Sequence, residues 1–137
     1  MITYSIPLLL GFLAAWLYIW IATKKPKHSN RWFSIGLVVA ALVYLNLAVV
    51  AQAPTAALLT ESGGVILFGV LAWIASGRSS VLLTIGWFLH PVWDVALHVW
   101  ASGGDYAPEW YVWACISFDI LVGVHLIRKE PYPAAQG

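Results

Sequence analysis

Charge is scarce in this sequence. Only 9% of its 137 residues are Asp, Glu, Lys or Arg, against 61% hydrophobic, whereas a soluble domain is about a quarter charged because its surface must be wetted. In water such a chain exposes more apolar area than it can bury, and lipid removes that conflict. Cysteine is nearly absent too. Cys115 stands alone, which excludes an intrachain disulfide and a cysteine-cluster metal site. The net charge of +1 gives no electrostatic basis for binding nucleic acid or an acidic substrate. There is no internal repeat, Gly-rich phosphate loop, lipidation box or low-complexity tract. The length suits one compact bundle and not two domains.

What the chain does hold is aromatic and apolar. Of its 9 Trp and 6 Tyr, Tyr4, Trp20, Trp32, Trp100, Trp110 and Tyr111 fall near predicted helix ends, where amphipathic rings sit at headgroup depth. A helix needs about 20 apolar residues to cross the hydrocarbon core. Five segments qualify, roughly 3–23, 32–52, 54–76, 80–100 and 109–127. No Lys or Arg precedes the first, so it reads as a retained helix and not a secretory signal. Pro54 suits the first helical position of the third span, where its missing N–H costs nothing. Thr60 to Gly64 then lie inside that span despite their polarity.

Basic residues orient the layout. Lys24, Lys25, Lys27 and Arg31 lie between spans one and two, Arg78 between three and four, and Arg128 and Lys129 after span five. All 7 fall on one side, which the positive-inside rule makes cytoplasmic. The expected fold is therefore an all-α polytopic membrane bundle: one domain over 1–137, N-terminus outside, C-terminus cytoplasmic, multi-pass in the cell inner (plasma) membrane. The tail Pro131 to Gly137 reads as short and mobile.

Ionisable groups inside a span cost roughly 2.5–3.5 kcal/mol each on insertion scales and are functional candidates by default. Span four carries His90, Asp94 and His98. Their i, i+4, i+8 spacing makes a stripe about 80° wide that climbs about 12 Å. Span five carries Asp119, with Cys115 and Tyr111 above it at four-residue steps. Span three carries Glu61 and span two Asn46. At 1.5 Å per residue, Asp94, Glu61 and Asn46 come to about 9–10 Å below the outer end, His90 and Asp119 to about 15 Å, and His98 to the outer interface. If these groups face one another, Glu61, His90, Asp94, His98 and Asp119 form one outer-half constellation. A purely structural Asp–His network contributes about 0.6–2 kcal/mol per bond, which does not call for five ionisable groups at matched depths. Other polar residues read as ordinary. His125 is an interfacial side chain near the cytoplasmic end, His28 is solvated, Glu109 favours a helix start, and Cys115 is a small packing residue. Pro91 should kink span four beside His90.

The run Trp87, His90, Trp93, Asp94 and His98 resembles a Trp-x-x-His-x-x-Trp-Asp-x-x-x-His helix of small bacterial membrane proteins catalogued as domain of unknown function 6010. Cys115 and Asp119 match that family's later Cys-x-x-x-Asp helix, and Glu61 its glutamate nearly thirty residues before the first histidine. The resemblance covers the last two thirds of the chain. Family members often carry a second histidine beside the last one, where this chain has Leu97. The resemblance implies the residue set and no activity.

Four functions fit the constellation. The first is a divalent-metal site for Zn, Mn or Fe, since mixed nitrogen and oxygen ligands suit all three. His90, His98, Glu61 and Asp94 are its candidate ligands, with Asp94 alternatively orienting a histidine. A catalytic metal would lower the pKa of bound water, with Asp119 or Glu61 as general base, and act on a lipid-like substrate. His90 and His98 start about 12 Å apart along the axis, so two metals, or one metal and a base, are easier to build than one shared ion. The second function is a proton or ion relay along Asp119, His90, Asp94 and His98, which lacks a polar continuation to the cytoplasmic side and needs a homo-oligomer to form a pore. The third is a pigment or haem site. The fourth is an accessory subunit whose polar cluster only specifies packing.

Overall fold

The computed structural model describes residues 2–77, 80–101 and 103–129, all helix, turn or short connection, with no strand among them. Five long helices are each apolar enough to cross a membrane: α1 (Ile2–Thr23), α2 (Ser29–Val50), α3 (Thr55–Ala75), α4 (Ser80–Trp100) and α6 (Glu109–Lys129). The fold is the expected five-span bundle. It adds a four-residue helix, α5 (Gly103–Tyr106), between α4 and α6. Span two starts earlier than read from hydropathy, because a 3-10 turn over Pro26–His28 reverses the chain at once and lets α2 begin at Ser29. The tail expected to be mobile, and Arg78, lie outside the described residues.

Pro54 is one position earlier than expected. Its extended backbone (φ −56°, ψ 150°) makes it the cap of α3, and its carbonyl accepts the Leu58 N–H at 3.2 Å. Two residues upstream, α2 closes with a left-handed stop. Gln52 has φ +52°, its N–H donates to the Val49 carbonyl, and the Ala53 N–H donates back to Ala48 at 2.9 Å, the two bonds of a Schellman cap. A non-glycine residue there carries the Cβ clash of the left-handed region.

α4 is the hub. It packs against α6, α3 and α2 and receives α5 on its end, while α1 lies chiefly along α6 and hardly meets α2. Small residues set these approaches: a Cβ on Gly11 would collide with the Ala114 backbone of α6, and one on Gly36 with the Tyr18 hydroxyl. Phe33, Leu37, Phe68, Leu83, Trp87, Val122 and Leu126 make a dry core, and Trp87 Nε1 donates to the Phe33 carbonyl at 3.2 Å, tying α4 to α2. α4 runs through Pro91 as one helix, so the Trp87 carbonyl has no N–H from residue 91 to accept.

The basic end is held by polar contacts. Lys129 Nζ donates to Ser29 Oγ and, at 3.4 Å, to Asn30 Oδ1; Asn30 Nδ2 donates to Ser80 Oγ at 3.2 Å. The first connection, the start of α4 and the end of α6 therefore share one end of the bundle. Lys24, Lys25, Lys27, Arg31, Arg128 and Lys129 are exposed there, so basic residues of connections far apart in sequence gather as the charge pattern predicts.

Replacing Gln52 by Gly removes a left-handed penalty of about 1–2 kcal/mol and adds back chain entropy of roughly 0.5–1 kcal/mol. Gln52→Gly should leave the fold intact and raise the thermal midpoint slightly in detergent, whereas Gln52→Val should lower it.

Candidate metal centre

Four ionisable side chains are withdrawn from the bundle surface: Glu61, His90, Asp94 and Asp119, each at most 2% exposed. The four-residue step on α4 puts His90 and Asp94 on one face, and α6 supplies Asp119 opposite. His90 Nδ1 donates to Asp119 Oδ2 at 2.9 Å, and Asp94 Oδ2 lies 3.5 Å from the same nitrogen. One ligand atom from each of His90, Asp94 and Asp119 falls within 4.8 Å of the others. Two carboxylates thus converge on one imidazole nitrogen. Asp119 has its hydrogen bond, while the buried oxygens of Asp94 make no well-formed one and face the Tyr44 hydroxyl as their nearest donor.

Magnitudes show that this arrangement is incomplete. An interhelical hydrogen bond contributes about 0.6–2 kcal/mol, and a charge at mid-span costs roughly 2.5–3.5 kcal/mol. One His–Asp bond cannot offset two carboxylates. The site calls for another positive partner or another proton. The separations are near those around a cation, since ligands held about 2.1 Å from an ion lie about 3.0 Å apart in cis octahedral and about 3.4 Å in tetrahedral geometry, the first just above the short contact and the second just below the longer one.

Above the triad sits a narrow void too small to admit a water molecule, lined by Tyr44, Glu61, Phe68, His90, Trp93 and Asp94. The buried Tyr44 hydroxyl faces the Asp94 carboxylate without closing a hydrogen bond of good geometry. The Phe68 ring stands edge-on to His90 with centroids 5.0 Å apart and fixes the imidazole plane. Trp93 lies on Gly64, where a Cβ would come within 3.0 Å of the indole nitrogen. Glu61 is outside the tight triad and is held from α5: the Tyr106 hydroxyl donates to Glu61 Oε1 at 2.5 Å. Burial first, and the neighbouring Glu61 carboxylate second, push the Tyr106 phenol above its ordinary range, so it stays a donor at neutral pH. The structure thus brings together His90, Asp94 and Asp119, puts Glu61 across the void, and leaves His98 two turns up α4. There its Nδ1 is buried without a partner, and the Cε1–Nε2 edge of the ring faces Gly104.

Two polar members of the site escaped sequence reading. Span two was represented by Asn46, yet Asn46 is exposed and Tyr44 faces inward. The signal existed: Phe33, Leu37, Ala41, Tyr44 and Ala48 form one buried stripe at helical spacing, and Asn46 falls off it. Tyr106 gave only the weak signal of an aromatic residue in a glycine-containing loop. His125, expected at the interface, turns its ring inward against Phe33 at 5.6 Å, with Nε2 buried and unpartnered.

Fold and site together define a multi-pass membrane protein with a buried imidazole–dicarboxylate cluster at the junction of α4 and α6. Residues 3–132 match the family of unknown function DUF6010, and the chain belongs to that family. No curated protein and no solved structure matches the chain.

The Tyr106–Glu61 bond yields a direct test. Tyr106→Phe leaves a buried carboxyl without its donor and should cost about 1–3 kcal/mol, read as a lower thermal midpoint. Glu61→Gln in the same background should recover part of that loss, because an amide is cheaper to bury than an unpaired carboxylate.

Proposed function

We propose that the protein is a membrane-embedded metalloprotein that binds one divalent cation, Zn, Mn or Fe, through His90, Asp94 and Asp119. The observation that carries this reading is Asp94, fully buried, with neither oxygen in a well-formed hydrogen bond and only the Tyr44 hydroxyl facing it, and with one oxygen 3.5 Å from a histidine nitrogen already bonded to a second carboxylate. A 2+ ion compensates both carboxylates at once, and a ligand set of one nitrogen and two oxygens suits borderline and hard cations. Three protein ligands leave coordination positions open, which is the mark of catalytic sites. The reading extends to a metalloenzyme acting on a lipid-like substrate, with Glu61, across the void, as the proton acceptor. By the positive-inside rule we place the basic end on the cytoplasmic side of a bacterial inner membrane. In a Cys115→Ala background, a cysteine at Asp105 should react with an impermeant thiol reagent added outside intact cells, and inaccessibility until lysis would reverse this orientation.

Protein extracted in mild detergent without chelators should carry about one metal per chain by elemental analysis, the stoichiometry of a three-ligand site. His90→Ala and Asp94→Asn should each abolish it, and His98→Ala should leave it in place. Metal-free wild-type protein that fails to take up Zn, Mn or Fe would overturn the reading.

A second reading has support from the 2.9 Å His90–Asp119 pair, which with Asp94 makes a three-group proton relay. It predicts pH-driven flux in liposomes that Asp94→Asn removes. Trp87, Phe118 and Val122, packed between the triad and the basic end, count against a through-path.

A further inference from the structure

α1 and α2 are held together at the basic end, where the Tyr18 hydroxyl donates to the Trp32 carbonyl at 2.5 Å, and they part toward the other end. A cleft remains between α1, α2 and α6, enclosing about 420 Å³, or about 950 Å³ counted out to its mouth, within the usual range of ligand sites. Small residues, Gly11 and Ala14 on α1 and Gly36 and Ala40 on α2, line it. Trp110 stands at its outer end, Tyr18 at its deep end, and Cys115 and Asp119 form part of its wall. Asp119 therefore belongs both to the triad and to a surface that opens sideways from the bundle.

We propose that this cleft holds one hydrocarbon chain of a membrane lipid, from the leaflet at the end remote from the basic residues, with the chain lying against Asp119. From Trp110 to Asp119 the cleft follows α6 for about 14 Å at 1.5 Å per residue, close to half of the ~30 Å hydrocarbon core, the depth of one leaflet. Exposed Trp110 marks the headgroup level. A cleft of this size and length suits a slender hydrocarbon chain better than a whole transmembrane helix about 10 Å across. Beyond Glu61, Tyr106 is buried and bonded to its carboxylate, and the lateral cleft is an opening that meets a triad residue. The inference stands on cleft shape and does not require the metal.

The test reconstitutes the full chain in phosphatidylcholine vesicles containing a phosphatidylcholine with a diazirine on its acyl chain. Irradiation should label the α6 segment around Ala114 and Cys115 and the α2 segment around Ala40. Ala14→Trp, which fills the mouth from an exposed position, should abolish that labelling and leave the background on the exposed α3 face unchanged. Excess unlabelled lipid of the same chain length should suppress cleft labelling in the wild-type protein, so the test does not hang on the folding of one variant. Label spread evenly over the exposed helix faces and insensitive to competitor would overturn the proposal, as would cross-links joining a helix of one copy to the cleft of another.

Discussion

The meeting of His90 with Asp119 and Asp94 is the contact on which the rest of the architecture depends. A carboxylate and an imidazole can be kept out of water in a lipid-facing bundle only if they find each other or a counter-ion. The 2.9 Å bond from α4 to α6 supplies that for one carboxylate. It also fixes which face of each helix points inward, since α4 cannot rotate without exposing His90 and Asp94 to hydrocarbon. Once α4 is set, Trp87 lies one turn below His90 on the inner face and hydrogen-bonds α2. Gly123, one turn after Asp119, meets the Phe88 ring. The polar contact thus sets the register in which the dry core packs.

The same contact leaves a surplus. Asp94 shares the imidazole nitrogen without holding its proton, and the void beside it lacks space for water. A bundle evolved only for cohesion is better served by an apolar residue at that position, because replacing buried ion pairs with packed hydrophobic side chains is often neutral or stabilising. On the proposed reading the second carboxylate is there to hold a ligand, and the divalent cation is that ligand. The cleft on the far side of Asp119 gives such a centre a lipid-facing neighbour, although the two features rest on separate observations.

Much of this fold was legible from sequence because the membrane imposes a few strong constraints. Span length fixed four of the five long helices to within two or three residues at each end, and the second differs by three at its start for a local reason, the 3-10 turn at Pro26. The gathering of basic residues at one end followed from their positions alone. Depth counting placed His90 and Asp119 at the same level, and the structure joins them. Depth does not specify azimuth. Asn46 and Glu61 were assigned similar depths, yet Asn46 faces outward and Glu61 inward, and the buried stripe on α2 was the missing discriminator. The short helix α5 was invisible because four residues carry no periodicity, and with it went Tyr106 as the partner of Glu61. Left-handed Gln52 gave no signal either, since glutamine has no preference for that conformation.

The central claim is that one cation is held by one imidazole and two carboxylates. X-ray absorption at the metal edge of protein loaded with Zn or Mn reads that coordination directly. The account predicts a shell of light ligands at about 2.0–2.2 Å, scattering from a single imidazole and no sulfur. A second imidazole would move His98 into the site, a sulfur ligand would bring in Cys115, and an ion surrounded only by water would mean that the triad holds no metal; each result contradicts the account.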